Sequence, residues 1–516
     1  MSAYRWAAAG LVVAVAAIGG AVAWRGAGPA EAPPNVVVVL WDTVRADRAS
    51  LYGYPRPTTP GLEQLAAESV VYERAMSPGM WTVPSHGSLF TGLSTSSHGA
   101  KVGWLWLDGK YQTLAETLGD AGFATFAWSS NPYLSEQTNL LQGFDTTAFS
   151  WRAPDAEACA ATTHGKLLPE DRSVEIAPGW AGRTEGWPTH LTAFKDCGPH
   201  AAERFLGWVD QQQQPFFAYI NLLEAHHPRV PSADARAAVA DPATVATALA
   251  TDGSLFRIMS AMEGRASFTE AELGAMGATY DATLWDLDRV TTAIVDGLRQ
   301  RGVLDHTIVV VTSDHGENLG ERGMFDHRWD LHQTLVHVPL VIRYPPALAP
   351  ARVSEPVSTV GLYGTVLALA GVDPPDLGYP LPRIGAGPVA SELEAPTPRL
   401  AEIRSAYPDL DPERWKTRYQ AWFDGPWKLL RRSDGGAQLF DLAADPGEHT
   451  DRVGERPEVA GPLREALVGW DRARPKYDPR GRTADDRPGN PLKADPALAH
   501  QLQQLGYATP DDEEEQ

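Results

Sequence analysis

The chain has 516 residues, 43% hydrophobic and 21% charged, which gives it a large core and excludes a disordered protein. Lys and Arg number 44 against 65 Asp and Glu, a formal net charge of −21. That balance argues against nucleic acid as a partner, and any site for an anionic ester must gather positive charge locally, bound metal being one means.

At the N-terminus, Trp6 to Trp24 are apolar or Gly throughout, between Arg5 and Arg25. The length just reaches that of a membrane-spanning helix and also fits a long signal-peptide core. No Cys follows to accept a lipid. Residues 1–34 are therefore expected to be a single anchor plus linker, or a secretion signal. Either leaves the bulk of the chain extracytoplasmic, in a periplasm or on an outer face.

Asn35 to Trp41 is a nearly unbroken β-branched run, the pattern of a strand buried on both faces of a parallel sheet, and it delivers Asp42 to the strand's C-terminal end. Thr59-Pro60 opens a predicted helix with Leu62, Leu65, Ala66 and Val70 at helical spacing. Thr82, followed by Pro84 and a short apolar run, is placed at another helix start, where free N–H groups favour an anion. Taken alone, Thr82 reads as a cap. Residues 112–121 read as a helix leading into a strand over 123–128, with Asn131 in the loop beyond.

Residues 150–196 read as an irregular insertion, and the two cysteines, Cys159 and Cys197, either pair in an oxidising compartment and staple the segment between them or stay as buried thiols. A helix over 200–212 precedes a buried strand, 216–222, which leads to Glu224, His226 and His227. The Ala-rich stretch 231–265 is expected to be a helical insertion or cap. Thr269 and Glu272 form a capping box for a helix reaching about Arg301. The next buried strand ends in Asp314-His315-Gly316-Glu317, and another covers 339–344.

Strands alternating with helices predict a layered α/β domain over 35–395 with a mostly parallel sheet. Residues 396–475 read as a smaller C-terminal subdomain with an antiparallel sheet (419–423, 427–431, 438–442) and a helix over 458–471. Residues 476–516 read as a flexible acidic tail.

Asp42, Thr82, Asp314 and His315 together make three oxygen donors and one imidazole, a plausible set for a divalent cation. Zinc or manganese suits that set better than calcium, which stays possible. The metal would lower the pKa of the Thr82 hydroxyl. His226 and His327, with His86 weaker, are candidates to bind the anion or protonate a leaving group.

The ordered motifs W-D-T-V-R-A-D, W-T-V-P-S-H-G-S-L-F-T-G, E-A-H-H-P, V-T-S-D-H-G-E, M-F-D-H and L-F-D-L-A-A-D-P-G-E resemble the sulfatase family of the alkaline phosphatase superfamily over about 35–475. The resemblance implies a layered α/β domain with a smaller C-terminal α/β subdomain. It places Asp42, Asp314 and His315 as metal ligands, Thr82 at the nucleophile position, and His226 and His327 at substrate-contacting positions. His86 and Asn131 occupy further substrate-side positions. The sequence departs from the family in four places. Thr82 replaces the Cys or Ser that becomes formylglycine, and His86 replaces the arginine of that motif. Thr43 replaces the second Asp, and Ser130-Asn131-Pro132-Tyr133 replaces a Lys-containing element.

A Thr cannot form the aldehyde, so the pattern looks like the superfamily's phospho-transferring branch, working through a phospho-threonine. The expectation is a metal-dependent hydrolase of phosphate or sulfate esters on a small molecule, lipid or glycan. The alternatives are a transferase moving a phospho-alcohol such as phosphoethanolamine, and a catalytically silent binder of anionic glycans.

Overall fold

The computed structural model describes residues 32–478, apart from 102–104, 167–194, 228, 254, 378–381 and 396. The predicted N-terminal anchor and the acidic tail beyond 478 lie outside the described residues. Among the described residues no helix is long and apolar enough to cross a membrane.

The strand Asn35–Trp41 sits inside an eight-stranded sheet, and all seven of its residues are buried. Alternate side chains leave a strand on opposite faces. Val36, Val38 and Leu40 accordingly enter one core, and Val37, Val39 and Trp41 enter a second. From edge to edge the strands are Ala351–Val353, Val70–Tyr72, Leu340–Arg343, Thr307–Ser313, Asn35–Trp41, Phe216–Leu222, Ala124–Ser129 and Thr146–Phe149. Leu340–Arg343 alone runs against the rest, pairing antiparallel with both neighbours. The sheet is thus mostly parallel, as the alternating pattern predicts.

Helices cover both faces. Thr82–Thr91, Leu114–Asp120 and Leu362–Ala370 pack Phe90, Leu118 and Val366 into the first core. Pro60–Ala66, Gly198–Val209 and Glu270–Gln300 pack Leu62, Phe205 and Leu284 into the second. The Thr269–Glu272 capping box is present: each residue's side chain satisfies the other's backbone N–H. Val70 corrects the sequence reading. It is not on the helix face of Leu62 and Leu65 but opens the strand Val70–Tyr72, because the β-branched pair Val70-Val71 finds ladder partners on both sides.

The Ala-rich stretch folds as three helices, Ala233–Val239, Pro242–Ala250 and Leu255–Met262. Cys159, on the helix Asp155–Lys166, is disulfide-bonded to Cys197, with Cα atoms 4.8 Å apart.

A second, antiparallel sheet has the order Val389–Leu393, Tyr419–Asp424, Trp427–Arg432, Ala437–Asp441. Its Leu429 and Leu439 pack on Ala460, Leu463 and Leu467 of the helix Pro457–Ala473. Ala421, Phe423 and Phe440 join the first core of the large domain instead. Its strand Val389–Leu393 lies before the change of composition that marks the subdomain in sequence, and has only five residues, two of them Ser and Glu.

Glu392 ties this sheet to the rest of the chain. It is 7% exposed, and its carboxylate accepts from Arg474 Nη1 and Nη2 at 3.0 and 2.9 Å and from the Ser96 amide at 3.2 Å. Burial pushes its pKa up, but the Arg474 hydrogen bonds and charge prevail and hold it at about 2, below its ordinary 4.5. A depressed carboxylate stabilises the fold above its unfolded pKa and loses that contribution as pH falls through the folded value. Glu392→Gln should therefore remove on the order of 3 kcal/mol at neutral pH and flatten the fall in stability between pH 4.5 and 2. Urea unfolding of both proteins across that range measures it; parallel curves would refute it.

Candidate active site

Two neighbouring parallel strands set the site. Asn35–Trp41 and Thr307–Ser313 run in register with Trp41 opposite Ser313, so the next residues, Asp42 and Asp314, emerge side by side at the sheet's C-terminal edge. Both are buried. Asp42 Oδ2 accepts hydrogen bonds from Asn131 Nδ2 at 2.8 Å and Asn221 Nδ2 at 3.3 Å, while Oδ1 has no partner among the described residues. Asp314 Oδ1 accepts from the amides of Thr43 and His315 at 3.2 and 2.9 Å, and Oδ2 has no hydrogen-bond partner among the described residues.

Burial and the neighbouring Asp314 push the Asp42 carboxyl up to about 7. Burial also raises Asp314, but the charge and hydrogen bonding of His315, with His86, outweigh it and lower the pKa. His315 completes the cluster. Its Nδ1 donates to Gly316 O at 2.9 Å, and its Nε2 lies 3.3 Å from Asp314 Oδ2. Burial lowers His315, and the charges of Asp314 and Asp42 carry it to about 9.

Thr43 bends the chain between the two carboxylates at φ +62°, a left-handed conformation costly for a β-branched residue. The long helix holds it there: the Tyr280 hydroxyl donates to Thr43 O at 2.7 Å and accepts from the Arg45 amide at 2.9 Å.

Thr82 is the first residue of its helix, fully buried. Its hydroxyl accepts from Asn131 Nδ2 at 3.1 Å, so one amide touches both Thr82 and Asp42. One turn on, His86 Nδ1 donates to Thr82 O at 2.8 Å and lies 3.7 Å from Asp314 Oδ2. His86 Nε2 is buried without a partner, and burial holds the imidazole below its ordinary pKa.

The remaining imidazoles close the other side. The ring of His327 lies 4.6 Å from that of His315 and 5.3 Å from that of His226. His327 Nδ1 donates to Glu317 Oε1 at 3.1 Å, and Glu317 Oε2 accepts from Arg229 Nη2 at 2.9 Å. That pairing fixes the His327 tautomer and frees Nε2. Asp326, at φ +65°, accepts from the His327 amide at 2.6 Å. His226 Nδ1 lies 2.6 Å from His227 O, and burial with His327 nearby holds its pKa well below the ordinary value.

All eight residues singled out from sequence therefore meet in one place: Asp42, Thr82, His86, Asn131, His226, Asp314, His315 and His327. Four supporting residues escaped that reading. Asn221, a polar residue inside the apolar run 216–222, carries a signal that was visible. Glu317 and Arg229 become meaningful only as a pair, 88 residues apart. Lys195 also escaped: fully buried, it donates to Leu223 O and Glu224 O at 3.2 and 3.0 Å and so braces the turn that carries His226.

The unpartnered Asp42 Oδ1, Asp314 Oδ2 and His315 Nε2 are buried, and the three residues offer ligand atoms within 4.8 Å of one another. Such atoms cost several kcal/mol unless a cation satisfies them, so the residues present fit a divalent metal. A second group within the same limit is Glu317, Asp326 and His327, where Arg229 already supplies positive charge.

Asn131→Ala should lower turnover about 10–100-fold, because it releases the Thr82 hydroxyl and Asp42 together. Activity assays beside circular dichroism check this; unchanged turnover in a folded variant would remove Asn131 from the site.

The family described as Sulfatase matches residues 34–372. The chain is 32% identical to arylsulfatase K of Bos taurus over 209 residues, 39% of this chain and 37% of that protein. It is thus aligned with little more than a third of the length of the first such relatives. Arylsulfatase K of Canis lupus familiaris is 24% identical over 486 residues, 87% of this chain and 83% of that protein. Among solved structures, the phosphonate monoester hydrolase of Agrobacterium radiobacter superposes with a TM-score of 0.64 at 20% identity, covering 85% of this chain and 95% of that one.

Proposed function

Because the chain belongs to the sulfatase family, we propose that it is an extracytoplasmic ester hydrolase in which Thr82 attacks the phosphorus or sulfur of an anionic ester. The observation that carries this reading is the shared Asn131 amide, which holds the Thr82 hydroxyl and the Asp42 carboxylate against each other in a buried pocket of unsatisfied ligand atoms. Metal ligation falls to Asp42, Asp314 and His315 with the Thr82 oxygen, a set suited to zinc or manganese and tolerable for calcium. A divalent cation there supplies Lewis-acid polarisation and lowers the pKa of the hydroxyl.

The chain's own groups do the rest. The helix start at Thr82 adds a favourable field for the anion. Asn131 orients Oγ1 through its 3.1 Å hydrogen bond. His86 Nε2 and His327 Nε2, buried and without a hydrogen-bond partner among the described residues, are left to meet the ester's oxygens. Attack forms a bond from Thr82 Oγ1 to the central atom as a neutral imidazole, His226 or His327, takes the hydroxyl proton and hands it to the ester C–O oxygen, which leaves with the bonding pair. Water then attacks the Thr82 ester, returning the hydroxyl and releasing the inorganic anion. His327, steadied by Glu317 and Arg229, keeps a fixed tautomer for such proton transfer.

Phosphate esters fit this route better than sulfate esters, since Thr82 cannot give formylglycine and the covalent product must be cleaved at its central atom. The test uses the chain without residues 1–34 and its Thr82→Ala variant, assayed on aryl phosphate monoester, phosphodiester and sulfate with zinc, manganese or calcium. Activity on a phosphate ester should fall at least about a thousandfold in Thr82→Ala. Chelation should abolish it, and readdition of one cation should restore it. Sulfate turnover that survives Thr82→Ala would overturn the nucleophile assignment.

A further inference from the structure

A cavity of about 550 Å³ lies where the C-terminal sheet meets the segment after the Thr82–Thr91 helix. Ser96, on its wall, is five residues past the end of that ten-residue helix, which spans about 15 Å. The cavity thus stands apart from the Thr82 site.

Six cations converge on it from separate stretches of chain: Lys101, Arg418, Arg431, Arg432, Arg464 and Lys476. Three acids line it too: Glu392, Glu394 and Asp471. Glu392 is taken up by Arg474, Glu394 lies 3.4 Å from Lys101, and Asp471 accepts from Lys476 at 2.7 Å. The lining therefore carries three more positive than negative side chains, in a chain whose formal charge is −21. Arg432 Nη2 pairs with Asp434 at 2.6 Å and Arg431 lies 3.8 Å from Asp471, whereas among the described residues Arg418 and Arg464 have no acidic partner and Arg432 Nε is buried without a hydrogen-bond acceptor. Surface salt bridges between well-mixed charges need no such concentration. A concave wall of one sign focuses its field on a ligand of the other.

We propose that this cavity is a second binding site, for an oligosaccharide bearing several sulfate or carboxylate groups. Cations on five separate stretches of chain match separated charges better than a single ion. Tyr419 and Tyr477 add aromatic surface for sugar rings, and the Ser433 hydroxyl, which accepts from the Arg418 amide, keeps its own proton to donate. The volume lies in the small-ligand range, and concave walls do not fit a flat membrane. A chain of charge −21 repels a long nucleic acid outside the pocket. The inference holds whichever ester Thr82 attacks.

The experiment measures binding of a heparin-derived hexasaccharide to the full chain carrying Thr82→Ala, by calorimetry, so that turnover plays no part. Adding Arg418→Ser and Arg464→Ser should raise Kd about tenfold or more, and added salt should weaken binding of the parent but barely that of the triple variant. With Thr82 intact, Arg418→Ser/Arg464→Ser should hydrolyse a small aryl ester at the parent rate, which shows the fold is kept. Equal Kd in both backgrounds would overturn the site. Competition by inorganic sulfate at matched ionic strength as strong as that by the hexasaccharide would overturn the saccharide assignment. Failure of Thr82 as nucleophile would appear only in the ester assays and leave this result unaffected.

Discussion

The structure depends on one electrostatic constraint: two carboxylates, Asp42 and Asp314, buried next to each other at the ends of adjacent parallel strands. Neither can move, because the strands are ladder-bonded through the middle of an eight-stranded sheet. Two like charges in low dielectric repel and are poorly solvated, which is why the Asp42 carboxyl is driven up to about 7. The surroundings offset part of this with donors, two asparagine amides on Asp42 and two backbone amides on Asp314, and with the charge of His315 beside Asp314. One oxygen on each is left over. A strongly acidic protein thereby holds a concentrated demand for positive charge at one point, and an anionic substrate can approach only once that demand is met.

Around this fixed pair, the other groups arrive on turns held under backbone strain. Thr43 and Asp326 both adopt left-handed φ values without being glycine, and both flank site residues. Strain of this kind persists only when neighbours over-determine it. The Tyr280 hydroxyl bridges Thr43 and Arg45, and Asp326 accepts from the amide of His327. The sheet thus provides rigid carboxylates, and the loops provide imidazoles in enforced orientations.

Much of this was legible in the sequence, for reasons that can be stated. The runs at 35–41, 216–222 and 307–313 are doubly buried strands, so composition alone reveals them, and the polar residues just after each are forced to the same sheet edge. The Thr269–Glu272 box marks its helix start through local chemistry. What was missed depends on distant partners. Val70 lies in helical register with Leu62, and only its pairing with Ile342 and Ala351 makes it a strand residue. Val389–Leu393 is short and partly polar, and its place is set by Tyr419–Asp424 and by its packing against the residues before Thr82. The Glu317–Arg229 pair that steadies His327 spans 88 residues and leaves no local trace.

One modest contact reaches further than its size suggests. The Ser77 hydroxyl donates to the backbone carbonyl of Asp314, while the Ser77 carbonyl accepts from the hydroxyl of Ser391, and the amide of Glu392 donates to Pro78 O at 2.8 Å. The strand Val389–Leu393 is therefore a buttress behind the segment that runs into Thr82, although it falls outside residues 34–372, which carry the family match. The smallest heritable unit of this chemistry is then longer than the recognisable domain. Gene fusions or permutations that exchange the C-terminal sheet would have to preserve both attachments of Val389–Leu393, its ladder with Tyr419–Asp424 and its hydrogen bond to Pro78.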